Sequence, residues 1–153
     1  MISEYRAQYE QLLKDTKGTK TSAKIMIVDD NRELLEELEE ILSAKGYTVD
    51  TVGDSEQALA LAHQIKPDLV LVDLKMIPKS GFQVADELRH SLYLRDVPII
   101  AMTGFFTEKE HVLMMKLCGI KAFILKPFKP SNLIAKIEFA LGNRAEDFDD
   151  QGT

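Results

Sequence analysis

Lys24-Ile25-Met26-Ile27-Val28-Asp29-Asp30-Asn31 is the stretch whose reading decides the fold. A run of apolar, largely β-branched residues stops abruptly at two carboxylates. The residues that follow change period: Leu34, Leu35, Leu38, Ile41 and Leu42 fall on one helical face, with Glu33, Glu36, Glu37, Glu39 and Glu40 elsewhere. A short continuous apolar run before an amphipathic helix reads as a strand buried on both faces. Four more such runs follow, at Tyr47–Thr51, Asp68–Val72, Val97–Met102 and Lys121–Leu125. Helix starts between them are marked by Asp54 with Gln57, Ser80 with Gln83, and Thr107 with Glu110, each a cap residue followed three later by Glu or Gln. Gly46, Gly119 and Gly142 mark helix ends. Five strands alternating with five helices predict an α/β fold, a doubly wound five-stranded parallel sheet covered on both faces.

Composition narrows the function. The 153 residues are 45% hydrophobic and 29% charged, ordinary for a globular domain and unlike a disordered or collagenous chain. The formal net charge of −6, with no basic stripe, speaks against direct nucleic-acid binding. No apolar run reaches the 18 or so residues of a membrane span, and the first residues lack a secretory apolar core. One cysteine, Cys118, cannot form an internal disulfide, which points to a reducing compartment and a cytoplasmic protein. Residues 1–23 carry a net +1 and residues 143–153 a net −3, which leaves −4 of the total for residues 24–142. The three zones read as an N-terminal extension with a short amphipathic helix and linker, a central domain, and an acidic tail.

In open α/β sheets, ligands bind beyond the carboxyl ends of the strands. Strand one ends in Asp29-Asp30, strand three in Asp73, strand four in Thr103-Gly104, and strand five runs into Lys126-Pro127. Three carboxylates at one sheet edge repel each other unless a cation neutralises them. Few hard oxygen ligands suit Mg²⁺. A lysine and a hydroxyl beside them are what a phosphoryl group needs, and an aspartate can itself be the nucleophile.

With these residues in this order, the chain resembles the receiver domain of the bacterial response-regulator family. The resemblance rests on Val28-Asp29-Asp30-Asn31, Asp73 with Gly81 eight residues on, Thr103-Gly104, and Phe123-Ile124-Leu125-Lys126-Pro127-Phe128, and covers residues 24–142. It implies a flavodoxin-like (βα)5 sheet of strand order 2-1-3-4-5. It further implies that Asp73 accepts a phosphoryl group from a sensor histidine kinase or a histidine phosphotransfer protein. Asp30 would hold Mg²⁺ directly and Asp29 mainly through water, with Asp73 and the backbone carbonyl of Lys75 completing the ligands. Lys126 would pair with the phosphoryl oxygens, and Thr103 would swing in to them, drawing the switch aromatic Phe123 inward. The Lys126–Pro127 bond is a candidate cis bond. The family commonly has proline four residues after the acceptor, whereas here Pro78 stands five after Asp73, so the loop before Ser80 is expected to run differently. Lys75 and Phe105 occupy the positions that tune phosphoryl lifetime in the family, and bulky Phe105 is expected to lengthen it by limiting attacking water.

Other features lie outside the site. Val112–Cys118 is apolar almost all round and Phe105-Phe106 lead into it, so Phe105, Phe106, Val112 and Met115 are expected on a surface that binds a downstream protein or a second copy of the chain. Ile2, Tyr5, Tyr9 and Leu12 have heptad-like spacing ahead of a linker at Lys17–Lys24. His63, His90 and His111 read as surface histidines, and Cys118 as a small buried hydrophobe. The expectation is a stand-alone switch that modifies and demodifies itself, turns over no metabolite and acts through protein contacts. A dehalogenase-type phosphatase wants Asp-x-Asp after strand one, which this chain lacks. A pseudo-receiver often lacks the acceptor, an acidic residue or the lysine, all of which are present here.

Overall fold

A computed structural model describes residues 23–106 and 108–142. Five strands, β1 (Lys24–Val28), β2 (Thr48–Val52), β3 (Leu69–Asp73), β4 (Ile99–Thr103) and β5 (Ala122–Leu125), alternate with five helices. The helices are α1 (Arg32–Ala44), α2 (Ala58–Ile65), α3 (Gly81–Arg89), α4 (Lys109–Leu117) and α5 (Pro130–Gly142). All strand pairs are parallel, in the order β2-β1-β3-β4-β5. This is the doubly wound, flavodoxin-like sheet anticipated above.

Alternation along each strand divides the core in two. Ile25, Ile27, Leu69, Leu71, Ile100, Met102 and Ile124 face α1 and α5, meeting Leu34, Leu38, Ile41, Leu133, Ile134 and Ile137. Met26, Val28, Val70, Val72, Ala101 and Phe123 face the other way, onto Ala58 and Ala62 of α2, Val84, Ala85 and Leu88 of α3, and Met115 of α4. All five residues of β3 are buried. Each buried Val or Leu side chain contributes about 1.5–3 kcal/mol, so the central strand anchors the sheet on which the site is built.

Four of the five strands differ from the sequence reading by one or two residues. For β3 and β4 the shift has a cause: Asp73 pairs with Met102, and Thr103 with Leu125, so the ladder continues into the polar residues at the strand ends. Ser80 forms the capping box expected for α3 with Gln83. Asp54 instead caps a 3-10 turn at Ser55–Gln57 through the Glu56 N–H, and α2 begins only afterwards. For α4 the residue preceding the helix is Glu108, whose N–H donates to His111 Nδ1 at 3.2 Å; Thr107 lies outside the described residues. Gly46 and Gly119 end their helices at φ 97° and 82°, the left-handed region that glycine adopts freely, whereas Gly142 is simply the last residue of α5. The expected N-terminal helix and linker, up to residue 22, and the acidic tail lie outside the described residues. No helix among the described residues is long and apolar enough to cross a membrane.

Candidate functional site

The carboxyl ends of β1, β3, β4 and β5 meet at one edge of the sheet. Asn31, directly after the paired aspartates, caps α1: its side-chain oxygen accepts from the Leu34 N–H at 3.2 Å. The capping task therefore falls to Asn31 and leaves the carboxylates of Asp29 and Asp30 for other partners. One oxygen of Asp29 accepts from the Asn31 N–H at 2.9 Å and the other from Lys126 Nζ at 2.7 Å, and the residue is 1% exposed. Asp30 lies at the exposed mouth.

Asp73 closes the group from β3. Carboxylate oxygens of Asp29, Asp30 and Asp73 lie within 4.8 Å of one another. Lys126 Nζ reaches Asp73 Oδ1 at 3.3 Å as well as Asp29. Its backbone N–H donates to the carbonyl of Thr103 at 2.8 Å, and the following Lys126–Pro127 bond is cis. Burial is the largest influence on Asp73 and the Asp29 charge the next. Together they outweigh Lys126 and raise the pKa of Asp73 to about 6. Burial alone would lower Lys126, but its hydrogen bond to Asp29 and the charges of Asp29 and Asp73 hold it above its ordinary value. Three carboxylates against one ammonium leave the pocket about two charges negative, an all-oxygen donor set that suits one hard divalent cation.

Gly81 has a physical reason to stand eight residues after Asp73. A Cβ there would lie 2.2 Å from the Asp73 carbonyl oxygen and 2.8 Å from the Leu74 Cα, so only glycine lets α3 begin against the end of β3. The Gly81 N–H closes that turn by donating to the Leu74 carbonyl at 2.9 Å. Between them the loop carries a second cis bond, Ile77–Pro78, which the sequence reading did not anticipate.

Thr103 is 1% exposed, and its Oγ1 accepts from the N–H groups of Phe105 and Phe106 at 3.1 and 2.9 Å. Phe123 is 6% exposed and packed inward. The side chains of Lys75 and Phe105, each two residues beyond a strand-end site residue, meet outside the pocket with Lys75 Nζ 3.9 Å from the ring centroid. This contact between two loops left no trace in the sequence.

The expected interaction surface needs one correction. Met115 is fully buried beneath α4 at 0% exposure, because it packs into the core cluster that also holds Cys118 and Phe123. Phe106 and Val112 are half-buried against the same core, while Phe105 is exposed. The exposed apolar residues of α4 are Leu113, Met114 and Leu117. Cys118 is buried as expected. His63 bonds Ser91 at 2.7 Å and His90 bonds the Asp86 carbonyl at 2.8 Å, both on the surface. His111 is more than a surface residue: besides serving the start of α4, its ring meets Phe106 edge-on.

A family model described as the response regulator receiver domain matches residues 25–138. The chain belongs to that family. It is 38% identical over 121 residues to the probable transcriptional regulator ycf27 of Guillardia theta, covering 79% of this chain and 46% of that protein. It is 35% identical over 124 residues to the DNA-binding response regulator MtrA of Mycolicibacterium smegmatis, covering 81% and 52%. The chain thus spans about half the length of the curated relatives it matches. Among solved structures, the chemotaxis response regulator CheY4 of Vibrio cholerae superposes with a TM-score of 0.72 at 29% identity, covering 77% of this chain and 98% of that one. A CheY-like receiver protein of Methanospirillum hungatei gives 0.76 at 26% identity, covering 81% and 97%.

Proposed function

We propose that this receiver is a phosphorylation-dependent switch of two-component signalling in which Asp73 accepts the phosphoryl group. The observation that carries the reading is the placement of Asp73, a buried carboxylate held 3.3 Å from Lys126 Nζ and grouped with Asp29 and Asp30. An Asp73 oxygen attacks phosphorus as the bond from phosphorus to the donor's imidazole nitrogen breaks; the ring leaves with a proton on its other nitrogen, giving an acyl phosphate on the chain and a neutral histidine on the donor. The donor is a sensor histidine kinase or a histidine phosphotransfer protein. Lys126, already paired with both carboxylates, is placed to meet the incoming oxygens, and the Thr103 hydroxyl is the donor for one of them.

Asp29, Asp30, Asp73 and the Lys75 carbonyl are the residues that would hold Mg²⁺. When bound, that ion supplies positive charge for the phosphoryl oxygens. Burial keeps water scarce around Asp73, and the exposed Lys75–Phe105 pair flanks its approach.

The receiver unit is residues 24–142, in the cytoplasm. It signals through protein contacts made by the apolar surface around Phe105, Phe106, Val112 and the outward face of α4, with a downstream protein or a second copy of the chain. The curated relatives named as transcriptional or DNA-binding regulators are about twice as long as the stretch they share with this chain, and DNA contact is not ascribed to the residues described here. The test is intact mass after incubation with acetyl phosphate. A Mg²⁺-dependent gain of one phosphoryl group, absent in Asp73→Asn, is expected; no gain in folded wild-type protein refutes the reading.

A further inference from the structure

The Thr103 hydroxyl oxygen is held by its own loop in the state described. It accepts from the N–H groups of Phe105 and Phe106, and among the described residues no hydrogen bond links it to Asp73 or Lys126. The N–H groups that hold it are themselves held. The half-buried ring of Phe106 meets Phe82 of α3 edge-on, with centroids 5.3 Å apart and planes at 72°. The same ring meets His111 of α4 at 5.0 Å and 75°. Such edge-to-face contacts fix a ring's orientation as well as its position. Phe106 is thus a wedge between two helices whose main chain pins the hydroxyl of Thr103.

Phe123 has little left to report. It is already 6% exposed and part of the same buried cluster as Met115, so an inward movement has almost no room to take place. Phe106, by contrast, packs against Phe82 and His111, two residues of a cleft whose lining also includes the exposed Met114 and Leu117.

We propose that Phe106 is a positioning residue for Thr103 and is the aromatic that transmits phosphorylation to the cleft between α3 and α4. The inference rests on Asp73 as acceptor and Thr103 as hydroxyl donor. Phosphoryl oxygens on Asp73 draw the Thr103 hydroxyl toward them. The loop then loses the acceptor for two of its N–H groups, the Phe106 ring leaves its seat against Phe82 and His111, and the cleft changes shape. A charge-assisted hydrogen bond, roughly twice as strong as a neutral one, offsets the two it replaces, and hydration of the two released N–H groups tips the balance toward the movement.

The chain has seven phenylalanines, so labelling with 4-fluorophenylalanine gives a small set of fluorine resonances, each assigned by one Phe→Leu replacement. On phosphorylation with acetyl phosphate and Mg²⁺, followed in parallel by intact mass, the Phe106 resonance should move by more than its linewidth while that of Phe123 stays within its own. In protein given no phosphodonor, Thr103→Val removes the acceptor and should move the Phe106 resonance toward its phosphorylated position. Thr103→Ser keeps a hydroxyl and should leave it at the wild-type position. The other resonances staying in place show that these variants are folded. A mass gain with an unmoved Phe106 resonance overturns the coupling and leaves the Asp73 reading standing, as does an unmoved Phe106 in Thr103→Val. No mass gain overturns both.

Discussion

Replacing Asp73 with asparagine should make the metal-free protein more stable at neutral pH, although it removes a charge that Lys126 pairs with. The pKa of Asp73 is raised from its ordinary 3.8 to about 6, first by burial and then by Asp29. Its side chain is 10% exposed, so solvent screens little of that. A raised carboxyl binds its proton more tightly in the folded state than in the unfolded chain. Folding stability therefore falls as pH rises through the window from about 4 to 6. The loss saturates at about 3 kcal/mol once the group is ionised in both states. The favourable contact with Lys126 is already contained in that raised value, so it offsets nothing further. Lys126 keeps its 2.7 Å bond to Asp29, so no charge is stranded. The net expectation at pH 7.5 with a chelator present is a gain of about 3 kcal/mol. The assay is urea unfolding followed by circular dichroism at pH 7.5 and pH 4.5. At the lower pH the advantage should shrink to about 1 kcal/mol, because Asp73 is then protonated in the folded wild type and mostly ionised only in the unfolded chain. Adding Mg²⁺ should stabilise the wild type more than the variant, by mass action on the folded state. A variant equal to or less stable than wild type at pH 7.5 without metal would refute the account of an over-charged pocket.

Three further expectations follow from contacts elsewhere. Gly81→Ala forces a Cβ into the Asp73 carbonyl and should cost about 3 kcal/mol or more, read as a lowered thermal midpoint; an unchanged midpoint contradicts the close approach. Met114→Glu should leave stability within about 0.5 kcal/mol of wild type, whereas Met115→Ala empties a fully buried site and should cost about 2–5 kcal/mol; equal effects in urea unfolding would contradict the assigned phase of α4. Phe105→Ala removes the ring under the Lys75 ammonium and should shorten the phosphoryl lifetime roughly two- to fivefold, the rate equivalent of an exposed cation–π contact of about 0.5–1 kcal/mol. Decay of the phosphorylated mass at the wild-type rate would remove Phe105 from that role.

Much of the molecule was legible before its structure, for reasons tied to particular residues. Ile25–Val28 and Leu69–Val72 are continuous apolar runs because both their faces are covered, and a buried strand has no other way to look. The aspartates, Thr103 and Lys126 could be gathered into one site because parallel strands deliver their carboxyl ends to the same edge. The strand ends were less legible: Asp73 and Thr103 look like loop residues until the ladder beside them is known.

Met115 was misplaced for a different reason. Val112–Cys118 is apolar almost all round, so its pattern has no phase, and packing beneath α4 alone decides that Met115 turns inward and Met114 outward. The His111–Glu108 contact uses a residue type that carries no capping signal. Contacts made between loops, such as Lys75 with Phe105 and Phe106 with Phe82, depend on loop conformation, which no periodicity encodes.

The central claim is that the phosphoryl group resides on Asp73, and the most direct measurement is to locate it. Borohydride reduces an acyl phosphate on aspartate to homoserine. Protein treated with acetyl phosphate and Mg²⁺, then reduced, digested and sequenced by tandem mass spectrometry, should carry homoserine at position 73 and aspartate at positions 29 and 30. Homoserine at either of those positions, or phosphate that remains bound through reduction on a hydroxyl or imidazole, would contradict it.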